Sequence, residues 1–340
     1  MSERFDVAIL GATGMVGQRF VELLAHHPVF RVAELAASDR SVGKRYGDAA
    51  PWRLESDPLL SDTLVVPCDP GAVRSRIVFS ALDKGVAVGI EAAFRDAGHL
   101  VISNASAYRM AADVPLLIPE INPDHLGLLT PGRGAIVCNP NCTSIPLLFA
   151  LAPLHRAFGV EAVTCASYQA ISGAGYPGES AWDILGNVHP HPGDEEEKVA
   201  EEPRKIIGAL VGGAIVPAPF PISARCVRVP VTDGHLVGAQ LKLRGAPPLA
   251  QIIEALRDFR APVPLHSSPV PLVRVTERRD RPTPRTDAMA GGGMAITIGR
   301  VERCEVMTVK LFALAHNAIR GAAGGAIANA ELLHARGFLA

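Results

Sequence analysis

Asn139-Pro140-Asn141-Cys142-Thr143-Ser144 places a thiol just after a short apolar strand and at the start of an apolar helix. A thiol at a helix N-terminus has its pKa drawn below the ordinary value of about 8.5, so more of it is reactive thiolate at neutral pH. Thiolate suits acyl transfer, and the N–H groups of the same helix start could form part of an oxyanion hole. The competing reading for any cysteine is an inert, small core residue. Cys138, Cys165 and Cys304 lie within strand patterns and keep that reading, and only Cys142 has a strand–turn–helix setting. A nucleophilic cysteine needs a base. Among the eleven histidines His235 stands out, because it follows Asp233-Gly234 and precedes a strand. An exposed loop histidine is the alternative. Arg225 and Arg228 lie in the preceding strand, where an arginine is costly to bury without an anionic partner.

A second candidate lies near the N-terminus. Residues 7–10 read as a buried strand, followed by Gly11-Ala12-Thr13-Gly14-Met15-Val16-Gly17 and a helix with Val16, Phe20, Leu23 and Leu24 on one face. Glycines let the backbone approach a pyrophosphate, and the helix N-terminus offers free N–H groups. The spacing is GxxGxxG, not the GxGxxG of the usual dinucleotide fingerprint, and a plain tight turn is the competing reading. The next strand runs into Ser38-Asp39-Arg40-Ser41. Asp39 would suit the ribose of NAD, but Arg40 with Ser38, Ser41 and Lys44 favours the 2′-phosphate of NADP. A polar turn without cofactor is the alternative. The segment 169–175 ends a strand in small residues, either to let a flat ring approach or as a mobile turn. The acidic run from Asp194 reads as a helix start, with Asp194 as N-cap and Glu197 at the capping-box position.

The elements that must hold these residues change character along the chain. Short apolar strands at 7–10, 32–37, 64–67, 77–82, 100–103 and 135–139 alternate with helices, which predicts a parallel sheet covered on both faces. After one apolar helix (143–157), strands dominate at 162–171, 225–231, 236–243, 295–301 and 306–315, with one helix at 248–259. Asp233-Gly234 is a hairpin signal. A closing helix spans 317–334, in which Gly321, Gly324 and Gly325 imply close packing against another backbone. The predicted class is α/β: a Rossmann-type dinucleotide-binding domain (1–139 with 317–340) plus an α+β catalytic and dimerisation domain (140–316) with a mixed, largely antiparallel sheet.

Composition narrows the function classes. Lys+Arg (33) nearly balances Asp+Glu (34), so neither a nucleic-acid-coating surface nor a polybasic membrane patch is expected. The polar start and the lack of a long apolar run predict no secretory signal and no membrane span. Six cysteines without a CxxC pair predict neither a disulfide scaffold nor a structural zinc site, so no metal is expected and the protein reads as cytoplasmic.

Taken in order, LGATGMVGQRF (10–20), AASDRSVGK (36–44), VFSAL (78–82), SNASAYRM (103–110), NPNCTS (139–144), QAISGAGYPG (169–178), CVRVPVTDGH (226–235) and HNAIRGAAGGAIANAE (316–331) resemble the aspartate-β-semialdehyde dehydrogenases of the archaeal and fungal type. The resemblance implies NADPH-dependent reductive dephosphorylation of β-aspartyl phosphate, through a thioester, in the biosynthesis of lysine, methionine and threonine. It implies Cys142 as nucleophile and His235 as acid/base group. Gln169 and Arg228 would orient substrate, Arg228 by pairing its α-carboxylate. Arg109 and Lys198 would hold the phosphate, and Asn141 would line the acyl site. NADP contacts would come from Gly11, Thr13, Gly14, Met15, Val16, Ser38, Arg40, Ser41, Ser80, Leu82, Ser172, Gly173 and Asn317. Asp83-Lys84-Gly85 departs from the family's usual continuation after VFSAL.

The nearest enzymatic rival is a malonyl-CoA reductase of the same superfamily. Asn141 and the SNASAYRM segment favour the semialdehyde dehydrogenases, and N-acetyl-γ-glutamyl-phosphate reductase is more distant. A non-catalytic NADP sensor of the same fold would have shed Cys142, His235, Arg109, Gln169 or Arg228, and all are present. The resemblance further implies a homodimer or homotetramer built through the second domain's sheet.

Overall fold

The computed structural model describes residues 4–339, so Ser2 and Glu3 of the polar start lie outside it. The chain divides into two units. The first comprises the chain up to Leu117, Asp124–Asn139 and the chain from Ala322 onward; the second comprises Ile118–Pro123 and Pro140–Gly321.

The first unit holds strands β1 (Phe5–Leu10), β2 (Phe30–Ala37), β3 (Val65–Pro67), β4 (Ile77–Ser80), β5 (Leu100–Ser103) and β6 (Ala135–Cys138). All pair in parallel, in the order β3-β2-β1-β4-β5-β6. Every residue of β4, β5 and β6 is buried, as expected for strands covered on both faces. Among its helices are α1 (Met15–Leu24), α2 (Tyr46–Ala49) and α3 (Lys84–Asp96). Helix α1 buries Phe20, Val21 and Leu24, and the Phe20 ring stacks on Phe79 of β4 at 4.8 Å. Strand order reverses between β1 and β4, the switch point at whose carboxyl ends open α/β sheets bind ligands. The glycine loop leaves β1 there.

The second unit begins with α4 (Ser144–Phe158) and β7 (Val160–Gln169). The short α5 (Ala181–Ile184), then α6 (Glu195–Ile207) and the small hairpin β8 (Ala209–Val211) and β9 (Ala214–Val216) come next. It continues with β10 (Ile222–Arg228), β11 (His235–Leu243), α7 (Leu249–Arg257), β12 (Val273–Thr276), α8 (Pro284–Asp287), β13 (Ile296–Arg303) and β14 (Val309–Ala315). The main sheet runs β10-β7-β11-β14-β13-β12, parallel at its two outer pairings and antiparallel at the three between. Burial alternates along β7 and β11, the pattern of a sheet covered chiefly on one face. Helix α4 is buried from Ser144 to Leu154 and packs against β11, β14 and α7. Truncating Phe149 within it would cost about 3–5 kcal/mol.

Several local expectations give way. Asp233-Gly234 makes no hairpin: β10 and β11 lie on opposite sides of β7, and Gly234 takes a positive φ of 97° in a longer connection. Cys304 falls just beyond β13, not within a strand. Hairpin β8–β9 and strand β12 carry too few residues to show a period. The closing helix is broken: Ile319–Ala323 is a π-type turn with non-helical φ −145° and ψ −105° at Ala322, and only then does α9 (Gly324–Ala335) run on, buried throughout its first ten residues. The second crossing between units therefore comes at Ala322 and not at Asn317. The intervening residues are bonded within the second unit, Asn317 to Ser172 and Arg320 to Glu120. The same ion pair draws 118–123 into that unit, with Arg156 donating to the Ile121 carbonyl as well.

Candidate active site

Register brings the chemistry of the second unit to one sheet end. Arg228 closes β10 opposite Gln169, which closes β7, while His235 opens β11 opposite Ala315 at the end of β14. Cys142 immediately precedes Thr143, the N-cap of α4. Its Sγ lies 3.3 Å from His235 Nε2. The Ala170 N–H donates to His235 Nδ1 at 3.1 Å. That bond assigns the tautomer: Nδ1 is the acceptor, so the ring proton sits on Nε2 and faces the sulfur. Burial, then the charges of Arg228 and His316, push the His235 pKa down to about 3. The imidazole is thus a neutral hydrogen-bond donor to Cys142.

Close packing fixes the pair. A Cβ on Gly173 would stand 2.9 Å from both Arg228 Nη1 and His235 Cε1, and one on Gly321 would stand 2.7 Å from Cys142 Cβ. Gly321 is held by its neighbour Arg320, whose guanidinium makes two bonds to Glu120 at 2.9 and 2.6 Å and lies 4.7 Å over the Phe149 ring. Burial would raise the Glu120 pKa, but Arg320 holds it below the ordinary value. Ser172 Oγ donates to Asp233 and accepts from Asn317 Nδ2, each at 2.8 Å, and the Gly234 N–H donates to Asn317 Oδ1.

Carboxylates from α6 hold the nucleophile loop, and sequence reading missed them. Glu195 accepts from Asn141 Nδ2 at 3.0 and 2.9 Å, Thr143 Oγ1 at 3.2 Å, Gln169 Nε2 at 3.3 Å and Lys198 Nζ at 3.1 Å. Glu202, buried, accepts from the Asn141 N–H at 2.6 Å. The i, i+7 spacing of these two acids was the available signal, hidden in an acidic run that resembles a solvated helix start. Asp194 makes no side-chain cap; its carboxylate pairs with Lys198 at 2.6 Å. Burial works against the Lys198 charge, but Asp194 and Glu195 together raise its pKa. The helix-start N–H groups expected to face an oxyanion are engaged: Asn141 with Glu202, Thr143 with Asn141 Oδ1, and Ser144 with the Asn141 carbonyl.

In the first unit, Gly11 has φ +73°, and a Cβ on it would stand 2.6 Å from the Ala81 carbonyl. A Cβ on Gly17 would stand 2.3 Å from the Gly11 carbonyl. Gly14 is the α1 N-cap, exposed and without a side-chain cap. The Gln18 N–H is the first to close back, on the Gly14 carbonyl, so the N–H groups of Met15, Val16 and Gly17 precede the first helical bond. Thr13 lies in this loop, and the Leu82 side chain comes within 3.5 Å of the Cβ site on Gly11. Ser38 and Arg40 are exposed after β2, whereas Ser41 is largely buried. Ser80, at the end of β4, is fully buried, and its hydroxyl helps hold the Glu91 carboxyl. Arg109 donates to the Asn104 carbonyl at 2.7 Å. The buried thiols of Cys165 and Cys226 are pushed by burial up to about 12 and about 11.

Residues 6–129 match the family model described as "Semialdehyde dehydrogenase, NAD binding domain", and residues 151–320 match "Semialdehyde dehydrogenase, dimerisation domain". The aspartate-semialdehyde dehydrogenase of Archaeoglobus fulgidus is 46% identical, over 97% of this chain and 98% of that one. That of Saccharomyces cerevisiae is 38% identical over the full length of both. This chain belongs to the aspartate-semialdehyde dehydrogenase family. It is an oxidoreductase with a Rossmann-type domain and a mixed-sheet domain, as the family's fold requires. The solved structure titled aspartate semialdehyde dehydrogenase with NADP from Candida albicans superposes with a TM-score of 0.92 at 37% identity, covering 99% of this chain and 100% of that one. No helix among the described residues is long and apolar enough to cross a membrane.

Proposed function

We propose that the chain catalyses the NADPH-dependent reductive dephosphorylation of β-aspartyl phosphate to aspartate β-semialdehyde, with Cys142 as the nucleophile. The observation that carries this reading is the contact of 3.3 Å between Cys142 Sγ and the Nε2–H of a neutral, buried His235. The first unit suits NADP: an uncapped helix start at Gly14 offers N–H groups and room for a phosphate, and Arg40 lies exposed past β2. Gly11, Thr13, Met15 and Val16 would hold the pyrophosphate, Ser38, Arg40 and Ser41 the 2′-phosphate, and Leu82, Ser172, Gly173 and Asn317 the remainder.

Sγ attacks the acyl carbon, the C–S bond forms and the C–O bond to phosphate breaks, leaving a thioester on Cys142. NADPH, when bound, supplies the hydride that reduces the thioester carbonyl. Aldehyde release then breaks the C–S bond and returns the sulfur as thiolate. His235, read as the acid/base group, donates a hydrogen bond to the sulfur through its Nε2–H, and the one proton the overall reaction consumes leaves with the phosphate. Arg228 pairs with the substrate α-carboxylate, and Gln169 and Asn141 orient the acyl group from their anchor on Glu195. Glu195 and Glu202 are positioning residues for that loop. Arg109 receives the leaving phosphate. Lys198 shares its charge with Asp194 and Glu195, so its pull on phosphate is the weaker of the two. A homodimer formed through the dimerisation domain completes the reading.

Parallel assays with aspartate β-semialdehyde plus phosphate and NADP, and with malonyl-CoA plus NADPH, decide the substrate. Turnover of the semialdehyde is expected; turnover of malonyl-CoA alone would refute the assignment.

A further inference from the structure

Arg228 is 5% exposed, and its guanidinium donates from Nη1 to the Ala170 carbonyl at 3.1 Å. Its Nε is buried and makes no hydrogen bond. The carboxylate opposite that nitrogen is Glu179, at 3.6 Å: close enough for ionic attraction, too far for a hydrogen bond. Glu179 belongs to the excursion between β7 and α6. That excursion is tied back at His189, whose backbone exchanges two hydrogen bonds with Arg228, N–H to carbonyl at 3.0 and 2.8 Å. The His189 ring lies 3.7 Å from the same Glu179 oxygen, again without a hydrogen bond to its Nδ1. Glu179 is therefore held between two basic groups and bonded to neither.

A buried guanidinium with an open Nε is a poor resting state unless a carboxylate is near, because the desolvated charge needs a counter-ion. A protein carboxylate that made the full two-bond fork would satisfy it, but would also block a ligand from binding there. Glu179 sits between these extremes. A ligand carboxylate that closes the fork on Arg228 gains the hydrogen bonds Glu179 leaves unmade, and it must push that like charge aside.

We propose that Glu179 is a specificity-determining residue, a stand-in counter-ion for Arg228 that the substrate carboxylate displaces. This rests on the reading of Arg228 as the carboxylate ligand. Glu179 lowers apparent affinity in proportion to the time it occupies the guanidinium. It also disfavours ligands whose group at this point is neutral, since they cannot outbid it.

The test is a double-mutant cycle of Glu179→Gln and Arg228→Ala on the intact enzyme, assayed with aspartate β-semialdehyde, phosphate and NADP. Glu179→Gln is expected to lower KM for the semialdehyde about three- to tenfold, with KM for phosphate moving less than about twofold. In the Arg228→Ala background the same change is expected to have no effect on kcat/KM for the semialdehyde. A rise or no change in KM on Glu179→Gln alone overturns the proposal. An equal gain in the Arg228→Ala background overturns it as well, because it would mean general repulsion of an anion and not release of Arg228. If Arg228→Ala leaves the semialdehyde KM at the wild-type value, the reading of Arg228 fails first, and the proposal with it.

Discussion

At the end of β1 the groups turned outward are backbone. The first turn of α1 after Gly14 presents N–H groups, and Ser38 and Arg40 lie exposed past β2. At the ends of β7 and β10 the groups are side chains instead: a thiol, an imidazole, a guanidinium and two amides, tied by Glu195, Glu202 and Ala170. The first arrangement needs the absence of atoms, because a phosphate must approach the peptide chain. The second needs atoms held to within tenths of an ångström, because bonds form there. So a glycine's missing Cβ is the functional feature in one unit, and a carboxylate bonded to the residues that flank Cys142 is the supporting feature in the other.

The contrast can be broken most sharply at the sulfur. Cys142→Ser is expected to lower kcat by about 10³- to 10⁴-fold while NADP binding, read by fluorescence titration, stays near wild type. Loss of both together would mean that the two sites are not separately built.

Glycine substitutions probe the other side. Gly17→Ala would drive a methyl into the backbone of Gly11 and Ala12 and is expected to cost about 3 kcal/mol or more of stability, measured by urea unfolding. Gly14→Ala meets only the Gly11 carbonyl, at 3.4 Å. It is expected to keep its Tm and raise KM for NADP about tenfold, because the methyl stands where the phosphate approaches. Equal Tm losses for the two variants would contradict a loop shaped for a ligand.

The legible parts of this design were those written locally. Strand, spaced glycines and helix follow one another within residues 7–24, and the Cys142 segment repeats strand–turn–helix within 135–158, so both could be read as contiguous patterns. The fold class followed from the change of strand character after Asn139. What could not be read depends on distance or on context. Glu120 and Arg320 are 200 positions apart. Glu195 and Glu202 look like any acidic helix face until α6 is packed against β10. The break at Ala322 falls on the best helix-forming residue, so no local preference announces it. Asp233-Gly234 carries a hairpin signal, yet β7 comes between the strands it joins, because strand order is a tertiary choice.

His235 gives a pH test of the side-chain-built site. Its folded-state pKa of about 3 lies below the unfolded value near 6.5, so between these values the unfolded chain binds a proton that the folded chain does not. Stability from this group is intact above about pH 6.5 and falls as pH drops toward about 3, by about 1.4 kcal/mol per pH unit. His235→Gln is expected to flatten that slope in denaturation curves taken from pH 7 to pH 4. An unchanged slope would mean that the ring is protonated in the folded state.

The smallest expected effect belongs to the exposed edge of the cofactor loop. Arg40→Ala is expected to raise KM for NADPH about three- to tenfold and to leave KM for NADH within about twofold, since an exposed ion pair is worth about 1 kcal/mol. A parallel rise for both cofactors would remove Arg40 from 2′-phosphate recognition.

The most direct test is to catch the sulfur in the act. Enzyme mixed with aspartate β-semialdehyde and NADP without phosphate, quenched in acid and digested, is expected to give an aspartyl adduct on the peptide containing Cys142. The adduct should disappear on adding phosphate before the quench and be absent from Cys142→Ser. An adduct on any other residue, or full turnover with no adduct at Cys142, would contradict nucleophilic catalysis by this thiol.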